Sequence, residues 1–229
     1  MLISIVVPAL NEEAQIGATL DALERLQGEK EIIVVDGGSV DCTVERACSR
    51  NVRVIHSERG RGHQMHAGAL TAAGEALWFV HADTLPPRNA LQQIEKALRN
   101  PGTVAGNFGL TFDGVSRAAR LLTAIYPLLR FCGLCYGDSG IFVRRSLYEE
   151  IGGFKKLALF EDLDLLRRLR TAGRFEHLDC RIVTSSRRFE QRNFALMWLH
   201  WTTLQILYWL GCPPNWLARW YGCKRRGTA

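Results

Sequence analysis

Three short stretches of this 229-residue chain place carboxylates where chemistry can use them. Pro8-Ala-Leu-Asn-Glu-Glu13 follows the apolar run Ile3–Val7, Asp36-Gly-Gly-Ser-Val-Asp41 follows Glu31–Val35, and His81-Ala-Asp83 follows Ala76–Val80. A carboxylate at a strand end can accept hydrogen bonds from a nucleobase N–H, which suits Asp36. A hard divalent cation bound to a diphosphate needs only one or two protein carboxylates, because phosphate oxygens and water fill its other positions. Asp83 suits that role. Arg59-Gly-Arg-Gly-His63 opens a helix, where free backbone N–H groups and Arg61 favour an anion. A fourth group, Phe160-Glu161-Asp162-Leu163-Asp164, sits at the first turn of a charged helix. Each stretch also has a purely local reading. Asn11 and Asp41 are good helix caps, Gly37-Gly38 is a tight turn, and Glu161 and Asp162 complement a helix dipole.

The elements that must position these residues can be read from periodicity. Ile3–Val7, Glu31–Val35, Val52–Ile55 and Ala76–Val80 are apolar runs of strand length. Helical patterns separate them, the first with Ile16, Leu20, Leu23 and Leu26 on one face. Strands apolar on both faces, joined by helical crossovers, imply a parallel sheet covered on each side. In such sheets ligands bind at the carboxyl ends of the strands, so all three carboxylate stretches fall on one edge. From about residue 103 the rhythm changes. Thr103–Phe112 reads as a strand, Ser116–Phe131 as a helix strained at Pro127, Ser139–Arg144 and Glu176–Thr184 as strands, and Phe160–Ala172 as a helix. This half reads as mixed α+β laid against the first.

The bulk properties suit one globular domain with an appendage. The net charge of +6 is concentrated late, at Arg187, Arg188, Arg192, Arg219, Lys224, Arg225 and Arg226. That distribution argues for a basic C-terminal face and against a nucleic-acid groove. Seven cysteines at irregular spacing argue against a disulfide framework and for a reducing, cytoplasmic compartment. The lone Cys132-Gly-Leu-Cys135 reads as incidental thiols. The N-terminal "MLISIVVPAL" lacks a basic n-region and a cleavage site, and reads as a first strand rather than a signal peptide.

In this order, "SIVVPALNEE", "IIVVDGGSVDCT", the strand-end "HAD", "GIFVRRSLYEEIGGF" and "FEDLDLLRRL" resemble the family 2 nucleotide-sugar glycosyltransferases, inverting enzymes with the GT-A fold. "GRGHQMHAGA" with "FVHADT" is most similar to a small bacterial subgroup. The resemblance implies an α/β, Rossmann-like, mixed but mostly parallel sheet with helices on both faces. It implies a transferase domain over residues 1–190, with a nucleotide half at 1–102 and an acceptor half at 103–190. Pro8, Leu10, Glu12 and Asp36 would line the nucleoside pocket, with Arg61, His81 and Ala82 also on the donor. Asp83 would hold Mn²⁺ or Mg²⁺, Asp162 would be the general base, and Asp138 and Glu161 would lie near the acceptor. The family's Asp-x-Asp begins with His81 here. The aspartate it replaces contacts ribose more often than metal, so the departure bears on donor contacts. The Gln-x-x-Arg-Trp motif of processive members is missing; "EQRNF" is a poor echo of it, which argues against polymer synthesis.

The expected activity is transfer of a sugar from a nucleoside-diphosphate sugar, UDP ahead of GDP, to a hydroxyl acceptor. Two alternatives are a nucleotidyltransferase and a non-catalytic sugar-nucleotide or membrane-binding module. The first would need a glycine-rich basic loop after the first strand, where this chain has Pro-Ala-Leu-Asn. Residues 191–229 form a hydrophobic helical, Trp-rich, basic appendage. Its run Phe194–Leu210 is shorter than the ~20 apolar residues of a membrane span. It reads either as a helix packed on the domain or as an interfacial helix. The second reading implies peripheral contact with the inner face of a membrane and a lipid-like acceptor.

Overall fold

A computed structural model describes residues 1–131, 136–187 and 194–221. One eight-stranded sheet has the order β3-β2-β1-β4-β7-β6-β8-β5. Its first half is parallel. β1 (Ile3–Ala9) is flanked by β2 (Lys30–Asp36) and β4 (Ala76–Phe79), and β3 (Arg53–His56) lies outside β2. The helices α1 (Glu13–Glu24), α2 (Thr43–Cys48) and α3 (Arg61–Thr71) make the crossovers.

Every residue of β1 is buried. Alternate side chains go to opposite faces. Ile3, Ile5 and Val7 pack with Ile16, Leu20 and Leu23 of α1, while Val6 packs with Met65 of α3 and Leu165 of a later helix. Each such side chain contributes roughly 1.5–3 kcal/mol on burial, which explains why β1 is apolar without alternation. Gly68 lets α3 lie on the sheet. A Cβ there would strike Val6 Cγ1 and come within 2.9 Å of Val35 Cγ2.

The second half is not laid against the first; it extends the same sheet. β7 (Phe142–Arg144) pairs antiparallel with β4, and β6 (Thr103–Phe112) pairs antiparallel with β7. The reason is that Ile141, Phe142 and Val143 are buried on both sides of the sheet, as β4 is. β8 (Arg174–Thr184) runs parallel to β6. The two-residue β5 (Thr84–Leu85) closes the far edge, with Thr84 opposite Thr184. That last pairing brings the residues just before Thr84 beside those just after Thr184.

The remaining helices are α4 (Ala90–Leu98), α5 (Arg117–Phe131), α6 (Arg145–Glu150), α7 (Glu161–Ala172), α8 (Phe194–Trp209) and α9 (Pro214–Trp220). A 3-10 turn spans Gly137–Ser139. α5 continues through Pro127. The inner side of α8 packs on the domain, Met197 against Ala119 and Leu122 of α5, and Leu204 with Leu159, Leu217 and Ala218. Among the described residues no helix is long and apolar enough to cross a membrane. Cys132 and Cys135, the "EQRN" part of "EQRNF" and the basic residues 224–226 lie outside the described residues.

Candidate active site

The ends of β1 and β2 are tied together by side chains. Ser39 Oγ accepts the Asn11 N–H, Asn11 Oδ1 accepts the Val40 N–H, and Thr43 Oγ1 accepts the Glu12 N–H, at 2.9, 2.9 and 2.8 Å. Asn11 is therefore not a helix cap. It takes a left-handed conformation (φ 54°) and α1 begins two residues later. Asp41 does serve its own helix, its Oδ1 accepting the N–H of Thr43, the first residue of α2, at 3.0 Å, and caps are also exchanged between the two helices. Asp41 Oδ2 accepts the Glu13 N–H and Glu13 Oε2 accepts the Cys42 N–H, so each helix start is satisfied by its neighbour.

Asp36 supports this edge from inside. Its carboxylate accepts the amides of Gly38 and Ser39 and lies 3.3 Å from His56 Nδ1. Burial alone would raise its carboxyl, but the hydrogen bonds from Ser39, Gly38 and His56 prevail and hold it below the usual carboxylate range. Its oxygens are thus directed into its own turn. A residue that sequence reasoning missed completes the edge. Gln64, buried on α3, donates through Nε2 to Ala9 O (2.7 Å) and Val35 O (2.8 Å). Gly37 leaves it room, since a Cβ there would lie 2.9 Å from the Gln64 amide carbon. The only sequence signal was its place in "GRGHQMHAGA".

At the centre two helix N-termini converge. Arg61 begins α3 and Glu161 begins α7, and Arg61 Nε lies 3.1 Å from Glu161 Oε1. Gly62 allows the approach, because a Cβ on it would come within 3.2 Å of Glu161 Cβ. Glu161 is buried, whereas 40 % of the Arg61 side chain remains exposed. Burial pushes the Glu161 carboxyl up, the Arg61 charge opposes this, and Asp162 adds to it. Desolvation works against the Arg61 cation, but Glu161, Asp162 and Asp138 outweigh it and raise its pKa. Converging N-termini with an arginine favour an anion, and here Glu161 already supplies one.

Asp162 projects from the same turn. Its Oδ2 accepts the Gly137 N–H at 2.7 Å and its Oδ1 the Leu163 N–H at 2.8 Å. These use two of about four acceptor positions of a carboxylate, leaving room for an acceptor hydroxyl. A Cβ on Gly137 would lie 3.3 Å from Asp162 Oδ2 and 3.6 Å from His81 Nε2, so His81 and Asp162 both border this glycine.

Asp83 holds a third position. The β5–β8 pairing sets it beside Arg187, whose Nη2 lies 3.3 Å from Asp83 Oδ2 and also binds Glu12 Oε2. Arg187 was noted in the sequence only as one of several late basic residues. Nothing in its local pattern points to a site; a chain reversal across β5 brings it there.

Glu12, Arg61, His81, Asp83, Asp138 and Asp162 thus line a single cavity of about 710 Å³, with Arg187. Pro8, Leu10, Asp36, Ala82 and Glu161 do not line it. Pro8 and Asp36 are buried at the strand ends, Ala82 O accepts the Thr19 hydroxyl, and Glu161 anchors Arg61 from behind. Glu161 thus lies outside the cavity lining, paired with Arg61.

A Bacillus subtilis protein described as "Probable glycosyltransferase YdaM" is 27% identical over 201 residues, covering 75% of this chain and 47% of that one. Glucosyl-3-phosphoglycerate synthase of Mycobacterium tuberculosis is 33% identical over 96 residues, covering 37% of this chain and 30% of the synthase. The chain spans less than half the length of either relative. In structure it is similar to Staphylococcus aureus TarS 1-349 in complex with UDP-GlcNAc. There the TM-score is 0.65 at 18% identity, over 85% of this chain and 61% of that one. It is also similar to mannosyltransferase PcManGT from Pyrobaculum calidifontis in complex with GDP-Man and Mn²⁺. In that case the TM-score is 0.64 at 21% identity, over 82% and 58% of the two chains. At these identities the likeness is one of fold, the GT-A sheet. Residues 4–152 match the family described as Glycosyl transferase family 2, and with the cleft and sheet of that fold around them, the chain belongs to this family.

Proposed function

We propose that this chain transfers a sugar from a nucleoside-diphosphate sugar to an acceptor hydroxyl with inversion at the anomeric carbon. The observation that carries the reading is that Asp83, Arg61 and Asp162 line one cavity, a cation with two carboxylates. Asp162 takes the proton of the acceptor hydroxyl as its oxygen forms the new bond to the anomeric carbon. Attack comes from the face opposite the diphosphate, whose C–O bond breaks, and the nucleoside diphosphate leaves with the electron pair. Such a base contributes ~10²–10⁴-fold. No carboxylic acid is needed on the leaving group, in contrast to a glycosidase.

Arg61 and the N-terminal amides of α3 and α7 bind the diphosphate. Asp36, with the Asn11–Val40 clasp and Gln64, shapes the edge that receives the nucleoside beside Pro8 and Leu10. The pair Asp83 and Glu12 already shares a cation, the Arg187 guanidinium. That donor set suits Mn²⁺ or Mg²⁺ completed by phosphate oxygens and water; when bound, the ion supplies charge neutralisation at the leaving diphosphate. The support from relatives lies in complexes of fold neighbours with UDP-GlcNAc and with GDP-Man and Mn²⁺. Uracil is proposed ahead of guanine. Cys42, Cys48, Cys180 and Cys212 are free thiols, which accords with action in the cytoplasm, at the inner face of a membrane.

The test is incubation with UDP- and GDP-sugars plus Mn²⁺, following release of nucleoside diphosphate. Release that is abolished by Asp162→Asn and by Asp83→Ala, with the fold retained by circular dichroism, is the expected result. Full turnover in either variant removes that residue from its role. Tight donor binding with no release under many acceptors would favour the non-catalytic binding module.

A further inference from the structure

The cavity that holds Asp162 is polar at only one end. Beyond Tyr136, whose hydroxyl donates to Gln205 Oε1 at 2.9 Å, its described walls are mostly apolar, with Tyr126, Thr202 and Gln205 the polar side chains among them. They are formed by Leu122 and Tyr126 of α5, Trp198 and Trp201 of α8, and Leu110 and Phe112 of β6. A polyhydroxylated acceptor against this wall would leave hydroxyls without partners, which is unfavourable. A hydrocarbon chain would not. The volume, about 710 Å³, is that of pockets which enclose a ligand of some size.

The solvent side of the same two helices carries large apolar residues as well, on α8 beside the exposed His200, Thr202 and Thr203. Leu128 and Phe131 of α5 are 64 % and 88 % exposed, and Leu196, Leu199 and Trp209 of α8 are 66 %, 63 % and 60 % exposed. Arg117, Arg120 and Arg219 are exposed nearby in the chain, and no acidic residue follows Glu190. An apolar helix face with tryptophans, basic neighbours and no acids matches a bilayer surface bearing anionic headgroups. A cavity whose wall helices carry such outer faces has access to molecules dissolved in that bilayer.

We propose that the acceptor is an amphiphilic alcohol taken from a membrane, its chain lying between α5 and α8 and its hydroxyl reaching Asp162. This rests on the transferase reading of Asp162. The hydroxyl loses its proton to Asp162 and gains the sugar, as above, so no further reactant is required.

The test uses the full chain and a series of ω-bromoalkanols from hexanol to dodecanol length, read by quenching of tryptophan fluorescence. Trp198, Trp201 and the part-exposed Trp209 line the cavity, Trp78 is fully buried in the core, and the exposed Trp216 and Trp220 lie outside the lining, so that a Trp216→Phe, Trp220→Phe variant removes non-specific quenching. The expected result is saturable quenching whose affinity rises roughly fourfold per methylene until the cavity is full. Thr202→Phe, on the cavity wall, should abolish it. Leu199→Glu, on the outer side of α8, should leave it intact and abolish sedimentation with anionic vesicles. Affinity independent of chain length would overturn the cleft. Quenching without vesicle sedimentation would overturn the bilayer as source, as would a stable dimer in ultracentrifugation that hides the α8 face. Release of nucleoside diphosphate from donor and water, measured without any alcohol, reports the transferase reading separately. Release with no alcohol binding would overturn only the acceptor class; alcohol binding with no donor turnover would overturn the transferase reading and the acceptor role with it.

Discussion

The Gly137 amide donates to Asp162 Oδ2 at 2.7 Å, and a Cβ on Gly137 would lie 3.3 Å from that oxygen and 3.6 Å from His81 Nε2. The proposed base is thus aimed by a backbone group on a 3-10 turn. His81, which the resemblance sets at the family's first metal-motif position, borders the same glycine.

Gly137→Ala should therefore act on turnover more than on stability. The new methyl would start 3.3 Å from Asp162 Oδ2, which must give by a few tenths of an ångström. A misplacement of about 1 Å can cost ~10²-fold, so a shift of a few tenths lowers kcat roughly severalfold. The expected result is a fall of that order in kcat with a melting temperature close to that of the unsubstituted protein. Unchanged kcat would show that this contact does not position Asp162.

Arg187→Gln should expose a carboxylate pair. Without the guanidinium, Glu12 and Asp83 lose their shared cation, and a divalent ion meets no competitor. Mn²⁺ should bind the donor-free protein several-fold more tightly, measured by the loss of the free-ion signal in electron paramagnetic resonance. Stability should change by no more than about 1 kcal/mol, because the pair is partly solvated. Weaker Mn²⁺ binding would mean that Arg187 organises the two carboxylates instead of occupying their site.

Gln64→Leu should destabilise the protein by about 1–3 kcal/mol in urea unfolding, since the buried carbonyls of Ala9 and Val35 both lose a donor. Because those carbonyls end β1 and β2, donor affinity should fall alongside stability. A change in stability alone would confine Gln64 to the fold.

Acid should act through His177. Burial, with the Arg130 and Arg170 charges, lowers its pKa from the ordinary 6.5 to about 4. Its Nδ1 lies 2.8 Å from Asn107 Oδ1, and Asn107 Nδ2 donates to Ser139 Oγ in the turn that holds Asp162. A neutral folded-state imidazole binds fewer protons than the unfolded one. Its contribution is complete above the unfolded value and is lost as pH falls through about 4. Urea midpoints measured between pH 7 and 4 should fall less steeply in His177→Gln. Parallel curves would show that His177 titrates normally.

The sequence by itself determined the elements and the family. Strands such as Ile3–Ala9 are apolar at every position but Ser4 because the sheet covers both faces, and that pattern is local information. So is the coincidence of Pro8, Asp36 and Asp83 at strand ends, from which one functional edge could be inferred. Tertiary structure decided which of those groups face the cleft. Asp36 and Glu161 have the residue type of site groups, yet their oxygens are taken by Ser39 and by Arg61, partners 3 and 100 positions away. Arg187 and Gln64, which complete the edge, carry no local signature. Their places depend on strand β5 crossing to pair with β8 and on Gly68 letting α3 settle onto Val6. Contacts between residues so distant in the chain are set by packing, and packing is a property of the whole core.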